Sequence, residues 1–249
     1  MMKVVYIFWL RQIKKYYRSK SRIIGSLGQP VLFLLALGFG FGPIFQKAGQ
    51  GNYLQFLAPG VVSMSIIFFS VFSGIEIIFD RQFGFLKETL AAPVSRFSIM
   101  LGRTLGGASV ATLQGLLVII IATIAGFRFD VAASLSLLLL FMFLIAVLFT
   151  ALGTAIGSLM EDFHGFQLVV NFLIMPLFFL SGALFPLEEA PKILTAFAAI
   201  DPLAYGVDGL RGSLMQTTHF GLPVDLAVLF CLSAIMIALG AYFFSKAQV

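Results

Sequence analysis

The sequence predicts an all-α integral membrane protein with six transmembrane helices, and three observations carry that prediction. Hydrophobic residues make up 60% of the 249-residue chain and charged residues only 11%, against about 25% charged in an ordinary soluble domain. The charges are bunched, which leaves uncharged runs at 23–46, 48–75, 104–127, 131–160, 163–187 and 226–245. Each run is at least 20 residues long, enough for a helix rising 1.5 Å per residue to cross a hydrocarbon core of roughly 30 Å. Lys and Arg, finally, gather on alternate loops, as in a chain threaded back and forth with its basic loops inside. Spans are expected at about 23–45, 55–79, 104–126, 133–157, 166–186 and 224–245 of one domain covering 1–249. Shorter helices are expected at 1–22, 81–92 and 188–215.

Before the first span, Lys3, Arg11, Lys14, Lys15, Arg18, Lys20 and Arg22 supply most of the net charge of +5. At about 100° per residue Arg11, Lys14, Lys15, Arg18 and Arg22 share one helical face, with Val5, Trp9, Ile13 and Tyr16 opposite. This reads as an interfacial amphipathic helix, its aromatics among lipid headgroups and its basic groups facing phosphate, so membrane lipid rather than nucleic acid is the expected partner. The run at 23–46 is too long for the apolar core of a signal peptide, so it is read as retained. The single Cys231 excludes an intrachain disulfide.

Starting inside, six crossings return the C-terminus to the cytoplasm. Twelve Lys and Arg then fall inside and four (Lys47, Arg128, Lys192 and Arg211) outside, so both termini and the 80–103 loop are expected on the cytoplasmic side. Between the fifth and sixth spans, 188–215 carries an apolar run at 193–200 that is too short to cross, punctuated by Pro191 and Pro202. Two short re-entrant helices on the outer side are expected there, with Tyr205 on the second and Asp208 and Arg211 close enough in sequence to pair.

The chemistry of soluble enzymes is missing from the pattern. The chain has no G-x-x-x-x-G-K-[ST] phosphate loop, no G-x-S-x-G elbow and no H-E-x-x-H. His164 and His219 sit near span ends, and "EDFHGF" (161–166) reads as a solvated turn. No catalytic, cofactor-binding or metal residue is therefore assigned. Glu76 stands out near the inner end of the second span, where an ionised carboxylate is costly unless paired or wet. Arg81 and Arg103 are its candidate partners, and a headgroup-level, solvated Glu76 is the alternative.

"DRQFGFLKETLAAPVSR" (80–96) poses the sharper question of why apolar residues are kept among charges outside the lipid. Phe83, Leu86 and Leu90 fall at i, i+3 and i+7 and share a face if one helix runs from Arg81 to Ala92, where Pro93 stops it; Phe85, Lys87 and Glu88 lie on its other sides. An apolar face with mixed charge around it fits a protein groove better than a membrane surface.

At these residues the chain resembles a known family. "GIEIIFDRQFGFLKETLAAPVSRFSIMLGR" (74–103) is similar to the cytoplasmic loop of type-2 ATP-binding-cassette exporter permeases of the daunorubicin-resistance and nodulation-exporter group. "LSGALFPLEEAPKILTAFAAIDPLAYGVDGLRG" (180–212) looks like the family's second signature, departing from it at Asp201, where many members carry Asn. The resemblance implies a permease of the inner (plasma) membrane that forms a homodimer and recruits two separately encoded ATPases, which hold the ATP and Mg. It also implies that the helix at 81–92 is a coupling helix seated in the ATPase, and that 188–215 is a pair of re-entrant helices at the outer mouth. Export of an amphipathic compound, such as a drug, lipid or lipid-linked glycan, is the function it implies. An ion-coupled carrier would need carboxylates at the bilayer midplane, and Glu76 is off-centre. A non-transporting membrane scaffold is the remaining alternative.

Overall fold

The computed structural model describes residues 1–47, 51–91, 93–130 and 133–246, apart from the side chains of Arg22 and Leu90. The described residues form helices α1 (Met2–Arg18), α2 (Lys20–Lys47), α3 (Tyr53–Phe72), α4 (Ile75–Gln82), α5 (Phe85–Ala91), α6 (Arg96–Ile124), α7 (Leu135–Leu159), α8 (Phe163–Leu180), α9 (Lys192–Ile200), α10 (Pro202–Met215) and α11 (Leu222–Lys246). Six stretches are long and apolar enough to cross a membrane: Ile23–Lys47, Tyr53–Gln82 (α3 with α4), Arg96–Ile124, Leu135–Leu159, Phe163–Leu180 and Leu222–Lys246. This is an all-α, multi-pass membrane protein.

The bundle has a centre and a rim. The apolar window of α3 is 78% buried, whereas those of α2 and α11 are 17% buried, so α3, flanked by α6 and α7, forms the core and α2, α8 and α11 surround it. Without a hydrophobic drive inside lipid, helices associate through close packing, and small residues permit it. Gly74 and Gly153 show this directly. A Cβ on Gly74 would collide with the carbonyl oxygen of Gly153, and one on Gly153 with that of Val71. The α3–α4 junction is thus in backbone contact with α7.

Contrary to expectation, the apolar side of α1 is covered by protein rather than by headgroups. Val5 and Phe8 pack where Gly102 leaves room, Trp9 Nε1 donates to Ser109 Oγ at 3.0 Å, and Tyr16 Oη donates to Gln114 Oε1 at 2.6 Å. These contacts step along both helices in the same direction, so α1 runs beside α6. The small residues of α6 make this possible, because Gly102 and Gly106 present no side chain to the approaching helix.

The bundle's two ends differ in content. One gathers α1, α4, α5, the start of α6 and the ends of α7 and α11. The other holds α9, α10 and the loops on either side of them. There α9 and α10 meet at 93°. Asp201 makes the bend by accepting from Leu203 N at 2.8 Å, and Pro202 fits the first turn of α10, where its missing N–H goes unneeded. The α6–α7 loop then satisfies the end of α10, with Asp130 N and Ser134 N donating to Leu214 O and Ser213 O.

Candidate functional site

At the α1–α4–α5 end the chain turns sharply between α4 and α5. Gly84 adopts φ +78°, a left-handed conformation that glycine takes without penalty. Two helices at an angle therefore replace the continuous helix expected over 81–92, and Phe83 and Leu86 do not share a face. Phe83 caps α4 and is 71% exposed, and Phe85 opens α5 at 52% exposed. Lys87 and Glu88 are exposed beside them. Leu86 is fully buried against Ile77, Ile99, Met100, Ala151 and Phe244, so it belongs to the permease's own core. The side chain of Leu90 and all of Ala92 lie outside the described residues. The turn thus offers an aromatic tip, Phe83 with Phe85, held from below by Leu86.

Arg81 also points inward. Its guanidinium donates to Ser158 O and Met160 O, both at 2.9 Å, and so satisfies carbonyls at the C-terminal end of α7, where a cation is also favoured by the helix dipole. It ties α4 to α7 and is not on the tip.

Behind the tip lies a buried charge joint. Asp80 is 5% exposed and takes Arg103, itself 5% exposed, on one oxygen and Arg11 at 3.2 Å on the other. Glu76, 7% exposed, pairs with Lys15 at 3.3 Å. Glu76 is therefore paired rather than solvated, but its cation comes from α1, and Arg103 serves Asp80. The signal was present in the sequence: Glu76 and Asp80 are four apart, and so are Arg11 and Lys15. Two helices carrying opposite charges one turn apart can zip along matching faces. The joint links α1, α4 and α6, and its energy is uneven. Arg11 and Lys15 are 39% and 47% exposed, so water screens their pairs. Arg103 depends on Asp80, because a buried guanidinium without a counter-charge is expensive.

At the opposite end, a cavity of about 540 Å³ opens between the first turn of α3, the α8–α9 loop and α10. Asp208 and Arg211 both line it, but they do not form the ion pair expected from their spacing. Asp208 accepts from the backbone N–H groups of His219 and Phe220, the shortest contact to each being 2.7 Å. Arg211 donates to Gly182 O at 2.8 Å and lies 3.9 Å above the Phe56 ring. Tyr205 donates its hydroxyl to Ala199 O across the α9–α10 bend, and its ring packs on Phe220. Pro202, Tyr205, Asp208 and Arg211 thus brace the hairpin.

Six membrane-length apolar helices packed as one bundle define a multi-pass membrane protein. Residues 3–215 match the family model described as ABC-2 type transporter. The chain belongs to this family and is a transport permease subunit rather than a catalytic enzyme. Its relatives include "Putative transport permease ycf38" of Cyanophora paradoxa, 31% identical over 201 residues that cover 78% of this chain and 68% of the relative. Nodulation protein J of Sinorhizobium fredii is 27% identical over 234 residues, covering 92% and 87%. Nodulation protein J of Rhizobium leguminosarum bv. viciae is 29% identical over 223 residues, covering 87% and 83%.

Proposed function

We propose that the chain is the membrane half of an ATP-driven exporter, pairing with a second copy of itself and with a separately encoded ATPase that holds the ATP and Mg. Phe83 and Phe85 carry this reading. Two large apolar side chains are exposed, flanked by Lys87 and Glu88, at a polar end of a membrane protein. Fully burying one such side chain contributes about 1.5–3 kcal/mol, which is the attraction a groove on a partner offers them. Directly beneath them, Asp80 and Glu76 connect α4 to α6 and α1. A push on the tip by a closing ATPase would reach the spans through that joint.

The second copy is supported by α8, which leaves Leu168, Phe172 and Phe179 exposed along one side and, as a rim helix, has a free face. The basic asymmetry supports an orientation with both termini and the aromatic tip in the cytoplasm of the inner membrane. Transport permease and nodulation protein J, as names of relatives, are compatible with export of an amphipathic compound such as a drug, lipid or lipid-linked glycan.

The test is reconstitution with a partner ATP-binding-cassette ATPase, followed by a screen of amphipathic compounds for stimulated ATP hydrolysis and for movement out of the compartment that holds the ATPase. Stimulation and export by the same compounds are expected. An assembled complex moving a compound under an ion gradient without ATP would overturn the reading. Orientation is read separately from impermeant thiol labelling of single cysteines at Ser95 and Thr217 in intact cells with Cys231 replaced: Thr217 should label and Ser95 should not.

A further inference from the structure

At the elbow where α1 passes into α2, the fold gathers cations it does not use. Arg11 and Lys15 are engaged by Asp80 and Glu76. Lys14, Arg18 and Lys20 have no carboxylate within ion-pair distance among the described residues. These cations line a concavity of about 960 Å³ together with Ser19 and Ser21. No acidic residue stands in the first turn of α2, so the positive end of that helix faces the same space without a counter-charge.

A second concavity lies further along α2. Ser21, Gly25 and Gln29 are spaced by four and lie on one face of α2. Ser21 lines the basic concavity, whereas Gly25 and Gln29 line a slot of about 270 Å³ between α2 and α3, walled by Met64, Phe68, Phe69 and Phe72. One helical turn, about 5.4 Å, thus separates a cationic basin from a largely apolar slot. The slot wall also contains Ser65, which is 5% exposed and whose hydroxyl has no partner.

We propose that this elbow is a binding site for a phosphate-bearing lipid. The phosphate sits among Lys14, Arg18 and Lys20, and an acyl chain enters the slot past Gly25. Soluble phosphate would satisfy the cations and leave the slot empty, and a neutral lipid would do the reverse. Only a molecule with both parts fits the two concavities at once. The site belongs to the isolated permease and does not depend on the exporter reading.

The test uses the full chain, purified without any ATPase in a neutral detergent and titrated with phosphatidylglycerol while bound lipid is counted by native mass spectrometry. Wild type should retain phosphatidylglycerol in preference to phosphatidylcholine, and glycerol phosphate should not compete. The triple variant Lys14→Gln, Arg18→Gln, Lys20→Gln should bind at least about tenfold more weakly, since each cation near anionic lipid contributes substantially. Gly25 has open space around it, so Gly25→Leu should fold normally while narrowing the slot, and should weaken binding by about fourfold for each methylene it excludes. Unchanged binding by the triple variant would overturn the proposal, as would effective competition by glycerol phosphate. Wild-type affinity in Gly25→Leu would also overturn it, by reducing the site to a charged surface patch.

Discussion

The two polar ends of this bundle hold their charges in different ways. Around the aromatic tip, the buried carboxylates meet side chains, Asp80 with Arg103 and Arg11 and Glu76 with Lys15, across three helices, while Arg81 alone of these charges is used on backbone carbonyls. Around the α9–α10 hairpin, the buried charges are used on backbone, Asp208 on the amides of His219 and Phe220 and Arg211 on the carbonyl of Gly182, and the side-chain contact of Glu188 with His219 is exposed. Ion pairs between flexible side chains can tilt, lengthen or exchange partners while helices shift. A carboxylate bonded to adjacent amides fixes a loop in one conformation. The difference teaches that the first end is built as a joint and the second as a brace.

The comparison breaks most completely at Asp80. Asp80→Leu leaves Arg103 buried without a counter-charge, a loss of about 3–5 kcal/mol. Thermal unfolding in detergent should show a large drop, and the double variant Asp80→Leu, Arg103→Leu should recover most of it. Leu86→Ala comes next, at roughly 2–5 kcal/mol, because Leu86 fills the permease's own core; unfolding of the permease alone, with no partner added, should register it. On the brace, Asp208→Ala removes the acceptor for two amides and should cost about 1–2 kcal/mol. Faster hydrogen exchange at His219 and Phe220, with the joint unaffected, would be its signature. The smallest effect is at Lys15, which is 47% exposed although its partner Glu76 is buried. Lys15→Gln keeps a hydrogen-bond donor beside Glu76 and should cost about 1 kcal/mol, less in high salt.

The spans were legible because each is a long uncharged run, and membrane thickness leaves little choice of element. The tip was legible only as a location. Spacing of 83, 86 and 90 presumes one helix, but Gly84 takes a positive φ and separates Phe83 from Leu86, so periodicity assigned to a docking face a residue that the core uses. The charge joint was half visible. Glu76 drew attention because it lies next to an apolar run, but choosing among its possible cations required knowing that α1 docks on α6, a tertiary contact made possible by the bare surfaces of Gly102 and Gly106. Asp208 and Arg211 were rightly grouped with the hairpin and wrongly paired, because spacing on a helix does not reveal that backbone groups from neighbouring loops compete for both side chains.

The central claim is that Phe83 and Phe85 face a partner ATPase while Leu86 faces inward. It is tested most directly by co-purifying the ATPase with permease carrying Phe83→Asp and Phe85→Asp together. Both side chains are exposed, so the variant should insert and unfold at the wild-type temperature, yet hold the ATPase at least about tenfold more weakly, since each 1.4 kcal/mol of lost burial is a factor of ten. Wild-type ATPase retention and substrate-stimulated hydrolysis in that double variant would contradict the account and move the docking surface elsewhere on the molecule.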